Sequence, residues 1–459
     1  PNVFTIANIN MSSSAYIEES DDARRQMQSF FAMAQLGYKE SLYLDVTARN
    51  DWSSTLAFTE RKSRGFFYPS VGLSWIIPKS FSMPSLISFG KVRASWSKVG
   101  NDIPLFVSNT VGHIAAGGIP QPNDTAPFGT LKPEMSSSFE IGTEWKFFDY
   151  RMDVDLTFYK TNTKNQLFSL PSSAGAAYKY YFVNAGNIQN MGVELTFGAV
   201  PILTNQFKWN TTLNFSRNKN EVKKLHDDLA SFIQGDEGFS SSYTMRLVEG
   251  GSFGDIYGKA FERDKYGAIV YGRDGLPQEI GSGNTAKVGN CNPAFLLGWG
   301  NSFTYKDFSF YFLIDGHFGG DVLAQTQAVL DQTGVSKVSG EARTMGYVDL
   351  EGHHIYNIKG FYEQVGGRNG VTEYYMYDAT NIRLRELSLG YTLPKRLLGR
   401  KQFLKKAELS FVARNLFFIY KKAPFDPDAV LSASNSNQGI DIFGIPTTRS
   451  VGFNVKLSF

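Results

Sequence analysis

Apolar and polar residues alternate along most of this chain, in stretches of about 8 to 12 residues. The clearest stretch closes the sequence. Val451, Phe453, Val455, Leu457 and Phe459 take one phase, and Gly452, Asn454, Lys456 and Ser458 take the other. A side-chain period of two belongs to a β-strand. The same period sets Met152, Val154, Leu156 and Phe158 against Asp153, Asp155, Thr157 and Tyr159. It sets Leu213 and Phe215 against Thr212, Asn214 and Ser216, and Leu409 and Phe411 against Glu408 and Ser410. The pattern predicts roughly thirteen strands, near 27–37, 41–50, 66–77, 89–99, 135–147, 151–166, 187–200, 206–219, 294–305, 308–320, 379–393, 405–420 and 447–459. No helical period competes with it, although 321–330 has room for a short helix inside a loop.

Soluble sandwiches alternate too, so three further features decide the class. Many of the stretches exceed the usual soluble strand of about 5 or 6 residues and match the roughly 9 to 11 of a tilted membrane strand. The polar phase carries several charges per strand, as a water-filled interior requires. Aromatics cluster at the strand ends: Trp145, Phe147, Phe148 and Tyr150, then Tyr305 and Phe308, Tyr391, Phe417, Phe418 and Tyr420, and Phe459. Aromatic girdles of this kind flank outer-membrane barrels. The predicted fold class is all-β, an antiparallel transmembrane β-barrel.

Connections alternate between short and long. Short ones fall at 37–41, 148–150, 201–206 and 306–307, and long ones near 52–65, 100–134, 167–186, 220–293, 321–378 and 421–446. Short turns face the periplasm and long loops the exterior in such barrels. With that assignment the first and the last strand both descend, as an odd count requires. Residues 253–264 then belong to a hairpin within a long loop, or come with a hidden partner strand. Single-chain bacterial barrels have even strand numbers, and open edges are costly in lipid. Further strands are therefore expected from sequence N-terminal to Pro1, and residues 1–459 read as the C-terminal portion of a larger barrel.

Composition narrows the classes. Aromatics make up 15% and charged residues 19%, which excludes a wholly disordered chain. The net charge of +3 gives no electrostatic case for nucleic acid. One cysteine, Cys291, excludes an internal disulfide framework.

Several segments resemble the SusC/RagA family of TonB-dependent outer-membrane transporters. They are Tyr43-Leu-Asp-Val-Thr-Ala-Arg-Asn-Asp-Trp-Ser-Ser-Thr55, Phe67-Tyr-Pro-Ser-Val-Gly-Leu-Ser-Trp75 and Lys91-Val-Arg-Ala-Ser-Trp-Ser-Lys-Val-Gly-Asn-Asp102. Later come the stretch Asp378–Pro394, then Arg414-Asn-Leu-Phe417 and Phe425-Asp-Pro-Asp428. The resemblance implies the C-terminal part of a 22-stranded plugged barrel, with the plug and first strands absent from this chain. It implies import of glycans or oligopeptides across a Gram-negative, Bacteroidetes-like outer membrane, with no cofactor and no enzymatic activity. Its implied partners are a SusD-like surface lipoprotein lid, TonB acting through the missing N-terminal part, and membrane lipid. A dimer of transporter–lipoprotein pairs is the assembly it allows. A passive porin or adhesin barrel is the alternative.

Candidate chemistry is sparse. His353 and His354 are adjacent, so in a strand they point to opposite faces and suit a shared metal poorly. Asp264-Lys-Tyr-Gly267 and Gly272-Arg-Asp-Gly275 read as turns rather than calcium loops. Asp153 and Asp155 share a strand face and read as interior charge balanced by neighbouring Lys and Arg. The Tyr-rich segment Glu373-Tyr-Tyr-Met-Tyr377 suits contact with sugars or peptides. Tyr374 and Tyr375, with Arg343 and His353 from the same long loop, are the candidate substrate-binding residues.

Overall fold

The computed structural model describes residues 24–59, 65–108, 112–115, 119–121, 123–128, 131–172, 175–226, 230–234, 243–281, 283, 285–398, 404–430 and 437–459. Thirteen strands form one antiparallel sheet in simple sequential order. We label them β1 (Met27–Tyr38), β2 (Leu42–Ser53), β3 (Gly65–Ile76), β4 (Ile87–Asn101), β5 (Glu134–Phe147), β6 (Met152–Pro171) and β7 (Tyr180–Leu203). The series continues with β8 (Phe207–Lys224), β9 (Phe295–Tyr305), β10 (Phe308–Phe318), β11 (Asn381–Thr392), β12 (Lys406–Lys421) and β13 (Ser450–Ser458). Each coincides with one expected strand. Among the described residues, β1 and β13 pair on one side only, so the sheet is open.

The register explains why the period held. Directly opposed residues of an antiparallel pair share a face. Leu44 opposes Leu73, Leu73 opposes Ala94, and Ala94 opposes Ile141. Further on, Leu156 opposes Leu195, Leu195 opposes Phe215, and Leu213 lies between Phe197 and Trp299. Leu409 lies between Tyr391 and Val455. One face is thus apolar from edge to edge, and many of its side chains are exposed in the isolated chain, including Phe30, Leu73, Trp96, Leu156, Trp299 and Phe453. Tyr305 opposes Phe308, whose ring lies 4.7 Å from that of Tyr391, at the short-turn end.

Two expectations are corrected. Phe418 belongs to the polar face rather than to an outer girdle. Bulges in the β11–β12 pairing shift the phase, so Phe418 opposes Arg383. The β6–β7 hairpin also runs well beyond its expected ends. Phe168, Leu170 and Ile188 pack there with Val222, Leu225 and Leu247, which extends pairing above the rest of the sheet.

The connections β8–β9, β10–β11 and β12–β13 lie at the long-loop end and fold together into a cap. Of residues 253–264, Asp255–Gly258 forms a strand of a four-stranded sheet with Ser231–Gln234, Tyr243–Val248 and Ala286–Asn290, so the expected hairpin is part of a larger unit. Asp321–Ala324 pairs with Met376–Asp378 on one side and with Ile440–Asp441 on the other. Three short helices follow the strand 321–324: α1 (Gln325–Gln332), α2 (Lys337–Met345) and α3 (Ile358–Val365). Local capping sets their limits. Ser336 Oγ accepts from the Ser339 amide, Asn357 Oδ1 accepts from the Gly360 amide, and Gly346 ends α2 at φ 83°. Buried Tyr243, Met245, Ile256, Leu323, Phe361, Val365, Tyr375 and Ile440 join all three connections in one core.

Candidate functional site

The polar face of the sheet carries a lattice of ion pairs. Arg93 on β4 donates two hydrogen bonds to Asp155 on β6, at 3.1 and 2.8 Å, and a third to Thr157. Glu140 on the intervening strand lies 3.7 Å from Arg93. The Asp155 carboxylate is therefore engaged by a neighbouring cation. The geometry supports a charge-balanced wall, and pairing across strands fixes these long side chains where water can reach them.

A second cluster lies at the long-loop end of β10 and β11. A bulge places Arg385 as an extra residue, since Leu313 opposes Glu386 while Ile314 opposes Leu384. Arg383, Arg385 and Glu386 all reach the polar face as a result. Arg385 binds Asp315 through Nε at 2.8 Å and through Nη2, and Asn415 through Nη1 at 3.2 Å. Arg383 is 2% exposed, pairs with Asp428 through Nη2, and lies with its guanidinium 5.2 Å from the Phe418 ring. A cavity of about 480 Å³ opens beside these groups, with Asn214, Leu296, Gly298 and His317 also in its walls. The residue pattern did not single out this cluster. Arg383, Asn415 and Asp428 fall in three of the segments that carried the resemblance, and their meeting point depends on the fold.

The four expected binding residues share the cap but do not converge on one cavity. Tyr375 is 2% exposed, and its hydroxyl donates to Asp331 Oδ2 at 3.0 Å. Tyr374 packs edge-on against Phe361 at 5.3 Å and Tyr375 at 5.0 Å. Burial raises the pKa of both phenols, so they stay protonated. Arg343 is exposed near the end of α2. His353 is exposed on a small hairpin with its ring tilted against Tyr271 at 4.0 Å, while His354 stacks on Tyr347. The two histidines thus have different ring partners. Asp264 Oδ1 accepts from the amides of Tyr266 and Ala268, and Asp274 Oδ1 from that of Leu276, as turn residues do.

Tyr375 has a testable structural role. Asp331 also accepts from Gln327 at 2.7 Å and from Ser336, so Tyr375 completes a buried set of donors. Tyr375→Phe removes one donor and is expected to destabilise the cap by about 1–3 kcal/mol. Faster hydrogen exchange in α1 and α3, with β9 and β10 unchanged, is the expected reading. Unchanged exchange in the helices would count against it.

The family described as TonB dependent receptor-like, beta-barrel matches residues 3–416. This chain belongs to that family. Members of the family are outer-membrane β-barrel proteins. The chain is 26% identical over 489 residues to TonB-dependent receptor P3 of Formosa agariphila, covering 98% of this chain and 47% of that protein. It is 22% identical over 491 residues to TonB-dependent receptor SusC of Bacteroides thetaiotaomicron, covering 97% of this chain and 46% of that protein. In structure it is similar to a chain of the RagAB peptide importer in its open-open state, with a TM-score of 0.76 and 18% identity, covering 100% of this chain and 49% of that one. The chain therefore spans about half the length of the relatives it matches. These findings agree with the resemblance read from the strand motifs and with the β-barrel fold class. The named relatives are receptors and transporters, not enzymes.

Proposed function

We propose that residues 1–459 form the C-terminal portion of the barrel of an outer-membrane importer of large nutrients, glycans or oligopeptides. The observation that carries this reading is the pairing of an edge-to-edge apolar face with a charged opposite face, roofed at the long-loop end by a folded cap. The apolar face suits lipid, and the charged face suits a wet lumen. The open edges at β1 and β13 would be closed by further strands of the same protein. Energy would come from TonB acting through a plug outside these residues, and the protein would catalyse no reaction.

The cap suits a SusD-like lipoprotein lid. Val335, Val338 and Met345, on and beside α2, are exposed, as are Tyr356, Phe443 and Ile445. Exposed apolar groups on a folded, well-capped unit are features of contact surfaces. Arg343 and His353 share that outer surface and are proposed to contact substrate or lid, beside the structural pair Tyr374 and Tyr375. Two transporter–lipoprotein pairs would form the dimer.

The test replaces 243–290 and 321–378 with short linkers in the full-length transporter. Both must go, because they share one core. The expected result is a heat-modifiable barrel that no longer co-purifies with the lipoprotein and no longer supports TonB-dependent growth. Retained co-purification with normal uptake overturns the docking role. Solute uptake that persists without TonB favours the passive porin.

A further inference from the structure

Near the short-turn end of β9–β13 the apolar face is aromatic. Phe303 opposes Phe310, Phe310 opposes Leu389, Leu389 opposes Phe411, and Phe411 opposes Phe453. One row of phenylalanines thus crosses these strands and is broken at Leu389. The next row toward the turns runs from Tyr305 through Phe308 and Tyr391 to Leu409. The two leucines are shorter than the rings beside them. A groove of about 440 Å³ opens there, lined by Phe310 on one side and by Phe411 and Phe453 on the other. Leu389, Leu409 and Phe453 are exposed.

The groove changes character along its length. Its upper row carries no polar side chain. Its lower row holds Tyr305 and Tyr391, amphipathic rings that suit the border between lipid and water. It therefore leads from the depth of a bilayer to the polar edge.

Cations stand at that edge. Lys306 Nζ lies 5.3 Å from the centre of the Tyr305 ring, and Tyr305 lines the groove. Residues 393–406, which join β11 to β12 directly below Tyr391 and Leu409, contain six Lys and Arg and no Asp or Glu. Lys406 pairs with Glu408, and Lys405 donates to the Phe459 carbonyl. Arg396 and Lys306 are exposed, and the exposed Asp307 offsets one of these charges. The excess is positive, so the edge attracts an anionic head while the groove accepts an apolar tail.

A second copy of this chain fits less well. In a two-fold contact the same patch meets itself, which sets these cations against each other. A lipid with an anionic head matches both the groove and its border.

We propose that the groove holds an acyl chain of one anionic phospholipid of the periplasmic leaflet, with the phosphate at Lys306 and Arg396. The proposal rests on the reading of the apolar face as lipid-facing, with short turns toward the periplasm, and goes beyond it by naming the lipid.

The test uses the full-length transporter purified in detergent. It is incubated with equal amounts of dioleoyl-phosphatidylglycerol and dioleoyl-phosphatidylcholine, which differ only in the head, and bound lipid is counted by native mass spectrometry. One phosphatidylglycerol is expected to be retained, in preference to phosphatidylcholine by about tenfold or more. Leu389→Trp combined with Leu409→Trp fills the groove without adding charge and is expected to abolish retention. Lys306→Gln combined with Arg396→Gln keeps the groove and is expected to bring phosphatidylglycerol down to the level of phosphatidylcholine. Heat-modifiability checks the folding of both proteins. Equal retention of the two lipids by the wild type overturns the proposal. So does undiminished phosphatidylglycerol retention in either folded variant, and the glutamine pair suffices if the tryptophans impair folding. A lipid-free dimer that the tryptophans split overturns it in favour of a second copy. Flotation with vesicles separates this site from the reading beneath it. Protein that inserts into phosphatidylcholine vesicles but shows no preference for phosphatidylglycerol loses the site and keeps the lipid-facing assignment. Protein that inserts into vesicles of neither lipid loses both.

Discussion

Phe361→Ala is expected to unfold the cap while leaving the thirteen-stranded sheet in place. Phe361 is 0% exposed and sits where all three long connections meet. Its ring lies 5.3 Å from those of Tyr362 and Tyr374. Truncating a fully buried Phe costs about 3–5 kcal/mol, because transfer and cavity terms add. The cap is a small unit held by short helices and two- to four-stranded sheets, so it has little stability to spare. The sheet below depends on its own ladders and on contacts that Phe361 does not touch. Hydrogen exchange in α1, α3 and the strand Tyr243–Val248 should therefore quicken by about two to three orders of magnitude, with β5–β10 unchanged. Protease sensitivity should appear first within 243–290 and 321–378. If the cap stays protected, its core does not hang on this residue. If the sheet loosens as well, cap and sheet form one cooperative unit.

The strands were legible because each has one face in contact with its neighbours' apolar groups and one with charge. That contrast repeats at every second residue, and a sequence displays it directly. The limits of legibility are physical. The upper part of the β6–β7 hairpin loses the pattern at Asn184 and Ala185, where small and polar residues pair as well as apolar ones do. Helix α2 (Lys-Val-Ser-Gly-Glu-Ala-Arg-Thr-Met) is too short and too polar to show a period, and its ends are set by Ser336 and Gly346 rather than by its interior. The cap core draws on segments nearly two hundred residues apart, from Tyr243 to Ile440, so no local window contains it. Tyr374 and Tyr375 stood out by type, but type does not reveal that Tyr375 lies inside with its hydroxyl on Asp331. The cavity beside Arg383 was hidden for a different reason. A bulge at Arg385 changes which residues face inward. Phe418 was misplaced by the same phase shift.

The second large effect concerns the apolar face. Leu213→Arg is expected to cost about 2–4 kcal/mol, the value for a cation near the bilayer midplane on a lipid-facing strand. Leu213 is six residues from the short-turn end of β8, and its partner Trp299 is six from that of β9, so both lie near mid-height. Leu409 shares the face but opposes Tyr391 near the short turns, where the same change falls to about 0–1 kcal/mol. Thr212 supplies the control. It points to the polar face between Gly198 and Gly300, where an arginine has room and water. The expected order of lost stability is Leu213→Arg, then Leu409→Arg, then Thr212→Arg. It is read from urea-dependent loss of heat-modifiable barrel in the full-length protein. Packing loss at Leu213 adds to its cost but cannot create the gradient with depth, because Leu409 is also flanked by apolar partners, Tyr391 and Val455. Equal costs at Leu213 and Thr212 would falsify the assignment of the apolar face to lipid, since only a low-dielectric exterior separates two adjacent residues of one strand so sharply.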